Sequence, residues 1–588
     1  PKVVQSQRKQ VGVRIPDHPT ALALLRGLVY VAIIPPWQSP DEYGHFEYAW
    51  LVSEYGLLVG PEAIPPDFQQ RMLEITLQHD YWHQVGDDLP LYYALTGSVL
   101  RLTGKQTLVG GMYVGRIVST TLYAAAVGLT ALTTRRLFSQ SSFMQIIPPA
   151  FVLFLPMLGE IETSVSNGAM GLLSSTLFLA SLVPILRDGP TRRRVGGTIT
   201  ALALALLSSK STLFVAPTAL LALLLYGGMQ RVAPSRRAKL VLVTCATLLI
   251  TTGIALALIP GVDAASWIEK TGSCGPTRIE GQAYAGKAAI RIGPCADEIV
   301  AQALPNEIVE EIAGQRVTLS GQVRSDGGPA IGQVTIWDNE GKTTTDIHAL
   351  ETWQHFTLTR TIDSDARHTA VRLNWVDGGA LLFDELALSS VEEKNLLLNN
   401  SAEEKESLFL YLLADIGSRV WTPLRRVERL FMRASWGFEA WQEYLHRTLF
   451  SFHSFWGNFG WLALPLPPMW YRAIELACAL TLAGNVLFIL KRPRLRWQAG
   501  YYFLLVGSLC FLIAQNFLPM VIHRGTLWVS QGRYLFPGVF IIAVLMAWGM
   551  RQFLPRRWER QATAIVVGTL AGFDILCLAY LIVPYFYR

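Results

Sequence analysis

The chain has 588 residues, of which 51% are hydrophobic and only 16% are charged, whereas an average soluble protein carries roughly 25% charged residues. This composition excludes an ordinary soluble enzyme, and ordinary fractions of Gly, Pro and Cys exclude collagen-like, disordered and disulfide-scaffold chains. The net charge of +6 does not indicate nucleic-acid binding, because the basic residues lie between apolar segments and not on one soluble face.

The apolar segments are long enough to predict a polytopic α-helical membrane protein, since a spanning helix needs about 20 apolar residues. We predict about eleven spans, at 20–37, 108–133, 143–159, 168–187, 195–209, 211–228, 238–260, 469–490, 498–522, 533–554 and 562–586. The two pieces beside Lys210 are short, which leaves the count open by one or two. Arg26 lies in the first span, where we expect it to extend to the cytoplasmic interface. Asp574 lies in the last span, and the sequence names no partner for it.

The basic residues of the short loops predict the orientation. Cytoplasmic loops carry an excess of Lys and Arg, and one alternating set of loops holds the N-terminal tail, Arg135–Arg136, Arg192–Arg194, Arg231–Arg237, Lys491–Arg496 and Arg556–Arg560. All of them are cytoplasmic if the N-terminus is inside. We therefore predict a multi-pass plasma-membrane protein with a cytoplasmic N-terminus, whose first span is an anchor and not a removed signal peptide.

Two long segments then face the exterior. We predict an N-terminal membrane region at 1–261 that includes a first outer loop at 38–107, a β region at 262–400, outer interfacial helices and loops at 401–468, and C-terminal membrane helices at 469–588.

The β region shows alternating apolar and polar residues between Gly, Asp and Asn turns, which predicts an inserted all-β sandwich or jelly roll. We expect strands at Arg316–Arg324, Gln333–Asp338, His355–Thr361 and Ala370–Trp375. Cys274 and Cys295 are the only cysteines outside the spans, so an oxidising exterior would let them form a disulfide; two buried free thiols are the alternative.

The β region also resembles non-catalytic carbohydrate-binding β-sandwiches, through the segment that begins at Trp353 and through Gly379-Ala-Leu-Leu-Phe-Asp384. The resemblance is to a fold pattern. Trp337, Trp353 and Trp375 are candidates to stack on sugar rings, although tryptophans in sandwiches are more often core residues.

The membrane region offers one concentrated set of reactive side chains, Asp41, Glu42 and His45, where the chain leaves the first span. No glycine-rich phosphate loop, G-x-S-x-G elbow or H-E-x-x-H helix accompanies them, so nucleotide hydrolysis and zinc proteolysis are unsupported. The simplest structural alternative is that the two acids cap a helix beginning near Tyr43.

Several short motifs resemble the GT-C superfamily of membrane glycosyltransferases, closest to a poorly characterised bacterial multi-spanning family within it. The resemblance is carried by Ser39-Pro40-Asp41-Glu42 with His45, Leu89-Pro90-Leu91-Tyr92-Tyr93, Lys210-Ser-Thr-Leu-Phe, the segment from Phe455 to Trp461, and Gln531-Gly532-Arg533-Tyr534. It covers most of the membrane region and leaves out the β region. It implies a polyprenyl-phosphate sugar donor and a catalytic acid in the first outer loop.

Sugar transfer from a lipid phosphate to a hydroxyl needs a base near the attacking oxygen and a cation or metal near the departing phosphate. We expect Asp41 to be the base, with Glu42 as its neighbour. The same two carboxylates are candidate ligands for a divalent metal such as Mg²⁺, Mn²⁺ or Ca²⁺.

The remaining candidate residues are assigned to the substrate. Lys210 and Arg533 are the expected phosphate-binding cations, and interfacial snorkelling is their alternative role. The other expected substrate contacts are His45, Tyr92, Tyr93, Gln531 and Tyr534. Glu162, at the outer end of the third span, is a possible second acid, as the resemblance implies.

We therefore expect an inverting hexosyl- or pentosyltransferase that moves a sugar from a polyprenyl-phosphate donor to an extracytoplasmic glycan, lipid or protein, among membrane lipids and without nucleic acid. A transporter or flippase of lipid-linked sugars is one alternative. It predicts internal repeats and polar residues through the middle of several spans, whereas the sequence shows no internal repeat and its polar residues concentrate at the outer ends of spans. A catalytically silent anchor that displays a glycan-binding β domain is another.

Overall fold

The chain folds into two compact units in a computed structural model. The model describes residues 19–56, 88–104, 107–229, 277–294, 299–304, 306–338, 341–364, 366, 369–390, 395–397, 400, 403, 438–491, 497–522 and 530–587. The first unit, here the helical unit, comprises Pro1–Lys239, His446–Leu518 and Val529–Arg588. The second, here the β unit, comprises Leu240–Leu445 and Pro519–Trp528. The expected disulfide between Cys274 and Cys295 and the expected span 238–260 lie outside the described residues.

The described part of the chain is rich in α-helices. They are α1 (Pro19–Ile33), α2 (Glu42–Tyr55), α3 (Leu91–Thr103), α4 (Leu108–Leu137), α5 (Ser142–Phe154), α6 (Pro156–Glu162), α7 (Gly168–Asp188), α8 (Arg192–Leu206), α9 (Val215–Met229), α10 (Asn306–Ile312), α11 (Phe438–Trp456), α12 (Phe459–Leu462), α13 (Pro468–Leu490), α14 (Trp497–Ile522), α15 (Val539–Arg551), α16 (Glu559–Leu576) and α17 (Val583–Tyr587). Short 3₁₀ turns at Lys210–Thr212 and Gly532–Gly538 lead into α9 and α15, and a π-helical turn at Cys577–Ile582 joins α16 to α17.

Seven helical segments within the described part of the chain are long and apolar enough to cross a membrane. They are Leu108–Leu137, Gly168–Asp188, Lys210–Gly227, Pro468–Leu490, Trp497–Val521, Gly532–Arg551 and Arg556–Tyr587. Each coincides with a predicted span. The first predicted span is a helix of 15 residues, α1, which is shorter than these seven. The predicted span at 195–209 corresponds to α8, a 15-residue helix that begins with three arginines.

The third predicted span is broken. Helices α5 and α6 together are apolar enough to span, but their axes differ by 58°. Leu155 is extended, with φ −69° and ψ 113°, and Pro156 follows it. Proline disfavours a helical conformation in the residue before it, so the helix ends at Phe154 and restarts in a new direction. The bend places Glu160 and Glu162 inside the helical unit.

Arg26 forms a buried ion pair with Asp574, so our expectation that Arg26 extends to the cytoplasmic interface is wrong. Arg26 Nε and Nη2 donate to the two Asp574 oxygens over 2.7 and 2.6 Å, and both side chains are almost inaccessible. The hydroxyls of Tyr30 and Tyr123 complete the cluster, at 2.7 Å from Asp574 and 2.9 Å from Arg26. In an apolar interior, an ion pair stabilises both charged side chains, so Arg26 does not need to reach water. The pair joins α1 to α16.

We expect Asp574→Leu to destabilise the protein because it leaves the Arg26 charge buried without a counter-ion, at a cost of about 2.5–3.5 kcal/mol. The double variant Arg26→Met/Asp574→Leu should recover most of that stability, since a buried ion pair is often replaceable by apolar residues. Thermal unfolding of the detergent-purified protein measures both variants. A lower melting temperature for the double variant than for Asp574→Leu would contradict the view that the buried Arg26 charge causes the loss of stability.

The β unit is an antiparallel sheet of seven strands, β1 (Thr277–Glu280), β2 (Ala288–Ile292), β3 (Ile299–Ala303), β4 (Arg316–Asp338), β5 (Gly341–Ala349), β6 (Gln354–Thr361) and β7 (Thr369–Ser389). The long strands β4 and β7 pair with each other, and each changes its other neighbour midway. β4 pairs first with β6 and then with β5, whereas β7 pairs first with β3 and then with β2.

The prediction of a β region is confirmed in part: the region forms an antiparallel β-sheet, together with helix α10, and some predicted strand boundaries were wrong. The segments 316–324 and 333–338 are the two ends of a single strand, β4. Between them the pairing with β7 shifts register at Asp326–Ala330, where Gly327 and Gly328 adopt φ of 83° and 106°. Glycine tolerates that conformation, so the strand bends there without ending. Side chains from both halves of the sheet form one apolar core.

The three tryptophans named as sugar-stacking candidates all have partners within the β unit. Trp375 donates to the Gly379 carbonyl at 2.8 Å and packs at the edge of the core. Trp353 lies under the guanidinium of Arg324, and Trp337 lies under that of Arg372, at 5.4 and 4.9 Å from the ring centroids. All three tryptophans are half-buried. Trp375 is a structural residue because of its hydrogen bond to Gly379 and its packing against the core.

Candidate functional site

Asp41 and Arg533 form an ion pair although 492 residues separate them. Arg533 Nη2 lies 2.5 Å from Asp41 Oδ2, and the two side chains remain 13% and 29% exposed. Asp41 is the residue before α2 and has a left-handed backbone with φ 57° and ψ 9°, which Asp adopts more readily than most residues. Arg533 Nε is buried without a hydrogen-bond partner in the described part of the chain. The guanidinium therefore has donors to spare for an anion.

The glycine before Arg533 explains how that side chain reaches the site. A Cβ on Gly532 would lie 2.1 Å from the backbone nitrogen of Phe455, so only glycine fits. The Gly532 N–H donates to Ser454 Oγ at 2.9 Å. The Gln531–Tyr534 motif is thus packed against the end of α11. Gln531 and Tyr534 are half-buried beside Arg533, whose guanidinium lies 5.5 Å from the Tyr534 ring centroid.

Glu42 points away from Asp41 and pairs with Arg116. Arg116 Nε and Nη2 donate to the two Glu42 oxygens over 2.7 and 2.6 Å, and neither side chain is more than 1% exposed. The backbone N–H groups of Trp37 and Val165 donate to the same carboxylate, at 3.1 and 3.2 Å. Arg116 also donates to three carbonyls at the end of the first helix, those of Val31, Ile34 and Pro35. Glu42 therefore holds the loop that carries Asp41.

His45, Tyr93, Asp88 and Lys210 form a chain of polar contacts. The Tyr93 hydroxyl donates to Asp88 Oδ2 at 3.1 Å and lies 2.7 Å from His45 Nδ1. Asp88 also accepts a hydrogen bond from Asn167 Nδ2 at 3.1 Å, and Lys210 Nζ lies 3.7 Å from its other oxygen. Two predicted substrate residues, His45 and Lys210, are thus joined through Asp88, which was not among the predicted site residues.

The charges around His45 define the electrostatics of the site. Burial is the largest effect on the ring and lowers the pKa of His45 below its ordinary 6.5. Asp88 and Asp41 oppose that shift, Arg533 adds to it, and Glu42 opposes it weakly. His45 is therefore neutral at pH 7 and lies within electrostatic range of both the Asp41–Arg533 pair and Asp88.

Tyr92 and Tyr93 have different surroundings although they are adjacent on α3. The Tyr92 hydroxyl lies 2.7 Å from Ser119 Oγ and accepts the backbone N–H of Ser166 at 3.1 Å. Burial raises the pKa of Tyr92 to about 12. Tyr92 is completely buried, and its contacts are to other helices, so it packs the helices behind the site while Tyr93 contacts His45.

Two buried carboxyl groups on α6 lie within electrostatic range of Arg533. Glu160 Oε1 accepts the backbone N–H of Gly460 at 3.0 Å, and its other oxygen has no partner among the described residues. Glu162, the expected second acid, lies against Gly168, where a Cβ would be 2.9 Å from Oε1. Glu162 is 1% exposed. The structure thus places both acids on the bent helix close to the site.

The segment from Phe455 to Trp461 contacts Glu160 and Tyr43, next to the candidate site. Gly460, Trp461 and Leu462 all have positive φ, at 57°, 60° and 68°. This turn directs the Gly460 N–H to Glu160 and lays the Trp461 ring over Tyr43, with centroids 6.2 Å apart and planes at 17°. Positive φ is unfavourable for Trp and Leu, so the packing around the turn must hold it. Trp461 remains 44% exposed.

Asp41 and Glu42 do not fit the divalent metal that the sequence suggested for them. A guanidinium already occupies each carboxylate, and four hydrogen bonds satisfy the two Glu42 oxygens. Within the described ranges, no group of three or more His, Cys, Asp or Glu side chains is placed to hold a metal ion.

Two residues of the site were missed at the sequence level, Arg116 and Asp88. Arg116 lies inside the predicted span 108–133, and a charged residue within a span is itself a signal of a buried partner. Asp88 directly precedes the Leu89–Tyr93 motif. In the helical unit the structure forms three groups of contacts: Asp41 with Arg533, Glu42 with Arg116, and His45 and Tyr93 with Asp88 and Lys210. His45 lies within electrostatic range of the other two groups. Gln531 and Tyr534 lie beside Arg533, and Tyr92 lies behind the site.

Comparison with known proteins gives no family. No family model matches the chain, and no curated protein matches it. One similar solved structure is described as "CBM4 structure and function", at 18% identity over 22% of this chain and 99% of that chain, with a TM-score of 0.17. Another is the CBM22-1 xylan-binding domain of Xyn10C from Paenibacillus barcinonensis, at 19% identity over 21% of this chain and 92% of that chain, with a TM-score of 0.17.

A third similar structure is described as "Family 16 Carbohydrate Binding Module-2", at 10% identity over 23% of this chain and 99% of that chain, with a TM-score of 0.18. Each likeness covers about a fifth of the chain. Identities and scores this low do not indicate what any part of the chain binds.

Proposed function

We propose that this chain is an integral membrane glycosyltransferase of GT-C type, which moves a sugar from a polyprenyl-phosphate donor to an extracytoplasmic acceptor hydroxyl. The observation that carries the proposal is the Asp41–Arg533 pair, which brings the expected base and an expected phosphate-binding cation into contact. The second expected cation, Lys210, lies 3.7 Å from Asp88, and both Asp88 and the Asp41–Arg533 pair lie within electrostatic range of His45. Seven helical segments apolar enough to span a membrane support a lipid-linked substrate.

In the proposed reaction, the donor phosphate replaces Asp41 as the partner of Arg533. Guanidinium groups bind phosphate oxygens through parallel hydrogen bonds, and Arg533 has a buried N–H without a partner among the described residues. The released Asp41 carboxylate then accepts the proton of the acceptor hydroxyl. A bond forms between that oxygen and the anomeric carbon, while the bond from this carbon to the phosphate oxygen breaks. Polyprenyl phosphate leaves with the electron pair, and the sugar is inverted.

The proposal is tested by incubating the purified protein in proteoliposomes with a panel of polyprenyl-phosphate sugars and extracytoplasmic acceptors. We expect transfer from at least one donor. Arg533→Lys should lower kcat/KM by about 10- to 100-fold, because it replaces a forked donor with a point charge. Arg472→Gln is the matched control, since the Arg472 side chain is 83% exposed and pairs with Glu475. An equal loss of kcat/KM in Arg533→Lys and Arg472→Gln would contradict the assignment of Arg533 as the phosphate-binding cation.

A transporter of lipid-linked sugars is a second candidate, favoured by the bent pair α5–α6 and the buried Arg26–Asp574 pair. Broken helices and buried charges are features of transporters. The two functions are separated by their products: a transporter moves the intact lipid-linked sugar across the bilayer, whereas a transferase releases polyprenyl phosphate. Movement of the intact donor without release of polyprenyl phosphate would favour the transporter.

The β unit would then recognise or guide an acceptor glycan on the outer side of the plasma membrane, with the N-terminus in the cytoplasm. Trp337 and Trp353 are its remaining stacking candidates, because each lies beside an arginine, whereas Trp375 is held by its hydrogen bond to Gly379. The third alternative, a silent anchor that displays this unit, would leave the Asp41–Arg533 pair without a role.

A further inference from the structure

His45 is the one histidine in the three described groups of contacts, and its hydrogen-bond partner identifies its protonation state. A tyrosine hydroxyl has a single proton to donate. Tyr93 donates it to Asp88 Oδ2, at 3.1 Å. The same Asp88 oxygen accepts a hydrogen bond from the Asn167 amide, and Lys210 Nζ lies 3.7 Å from the other oxygen. The Tyr93 oxygen is therefore the acceptor in its 2.7 Å contact with His45 Nδ1, and Nδ1 must be the donor.

A neutral imidazole carries one proton. If that proton is on Nδ1, Nε2 has a lone pair and accepts a hydrogen bond. Nδ1 is the only atom of the His45 ring with a hydrogen-bond partner among the described residues. His45 is 8% exposed, and it lies one helical turn after Asp41, whose carbonyl accepts the His45 N–H. His45 Nε2 is not among the fully buried polar atoms that lack a partner, so a hydrogen-bond donor on a substrate bound beside Asp41 can reach it.

The phosphate of the donor cannot supply that hydrogen bond, because an ionised phosphodiester has only acceptor oxygens. A hydroxyl group can, on the donor sugar or on the acceptor. We assign it to the acceptor because His45 lies one helical turn after Asp41, the proposed base that receives the proton of the acceptor hydroxyl. We propose that Tyr93 and Asp88 fix His45 in the Nδ1–H tautomer, so that Nε2 accepts a hydrogen bond from a hydroxyl of the acceptor substrate. The attacking hydroxyl gives its proton to Asp41, so the hydroxyl on His45 is a second one. The inference rests on the proposed function and identifies the acceptor as a polyhydroxyl compound, a glycan, and not a protein or lipid with a single hydroxyl.

The tautomer is tested without any substrate, by ¹⁵N NMR of the full-length protein labelled at histidine, with the His45 signals identified by their loss in His45→Gln. We expect a protonated Nδ1 and a bare Nε2 in the wild-type protein. Tyr93→Phe removes the acceptor of Nδ1–H, so the two tautomers should mix. His348, exposed on β5, is the internal control and should not change. A wild-type His45 with its proton on Nε2 would overturn the inference.

The acceptor contact is tested by kinetics with methyl glycosides as acceptors. We expect His45→Phe to raise the acceptor KM by about 10- to 100-fold while the donor KM stays unchanged, because only the acceptor loses a hydrogen bond. His45→Gln should recover part of this loss, since its amide oxygen can accept from the same hydroxyl. A rise in the donor KM without a rise in the acceptor KM would show that His45 binds the donor, and it would contradict the inference. Wild-type protein without transfer would refute the proposed function, while the NMR result would still decide the tautomer.

The same contact predicts a pH dependence. Acceptor binding requires neutral His45, whose pKa is lowered by burial and by Arg533 against the opposing effects of Asp88, Asp41 and Glu42. Lys210 lies beyond Asp88. The acceptor KM should therefore stay constant from neutral pH down to the ordinary histidine pKa of about 6.5 and rise only below it. In His45→Gln that rise should be absent; a rise of the same size would contradict the role of His45.

Discussion

Asp41→Asn is expected to lower kcat for sugar transfer by about 10²- to 10⁴-fold, the usual contribution of a positioned general base. The substitution isolates the carboxylate because Asn, like Asp, tolerates the left-handed backbone that residue 41 adopts, with φ 57°. The amide oxygen can still accept a hydrogen bond from Arg533, so the fold should be retained. The donor KM should not rise, since the donor phosphate competes with Asp41 and does not bind to it.

The experiment is steady-state transfer by the wild-type protein, Asp41→Asn and a control, Asp188→Asn. Asp188 also pairs with arginine, through Arg187 and Arg194, but it lies at the end of α7 and its side chain is 34% exposed. The control should retain wild-type kcat. Unchanged kcat in Asp41→Asn, with unchanged thermal stability, would remove Asp41 from the proposed reaction.

Arg116→Gln is expected to be among the most destabilising substitutions in the helical unit. It leaves the Glu42 carboxylate buried without its counter-ion, which typically costs about 3–5 kcal/mol, and it deprives three carbonyls of their donor. Unlike the Arg26–Asp574 pair, this pair should not be replaceable by two apolar residues, because the carbonyls at the end of α1 would stay without their donor.

Thermal unfolding in detergent measures this prediction, with Arg187→Gln as the matched control. The Arg187 side chain is 41% exposed in its pair with Asp188, and surface pairs contribute about 0–1 kcal/mol. A melting temperature for Arg116→Gln equal to that of the control would show that Glu42 does not depend on Arg116. Loss of stability in Glu42→Gln should be of similar size, because the Arg116 charge then stays buried.

The sequence was most informative about the membrane helices. Seven predicted spans coincide with helices apolar enough to cross a membrane, because a long apolar run is a strong local signal. Pro156 alone did not predict the bend at Leu155, because Pro148 and Pro149 lie inside helix α5 without ending it. The partner of Arg26 could not have been predicted from the sequence, because Asp574 lies 548 residues away and a local pattern does not encode such a contact.

The candidate site was predicted in part. Asp41 and Arg533 were both named from short motifs, and the structure brings them into contact. Adjacent carboxylates suggested a shared role for Asp41 and Glu42, but their side chains have different partners because Asp41 lies before the first turn of α2 and Glu42 lies within it. Asp88 was passed over because an acid in a polar loop is usually solvated.

The β unit shows the same limit. Alternation predicted the strands, but it could not show that 316–324 and 333–338 belong to one strand, since Gly327 and Gly328 between them are typical of a turn. The pairing with β7 keeps the strand continuous through both glycines. Long-range pairing thus overrode a local turn signal.

The central claim is that donor phosphate and Asp41 compete for Arg533. Titration of the purified protein with polyprenyl phosphate, followed by native mass spectrometry, tests this directly. Asp41→Asn removes the competing charge of a partly exposed pair, worth up to about 1 kcal/mol, and should bind the lipid about 3- to 5-fold more tightly than the wild-type protein; Arg533→Gln should bind it more weakly. Equal affinity in all three proteins would contradict the claim.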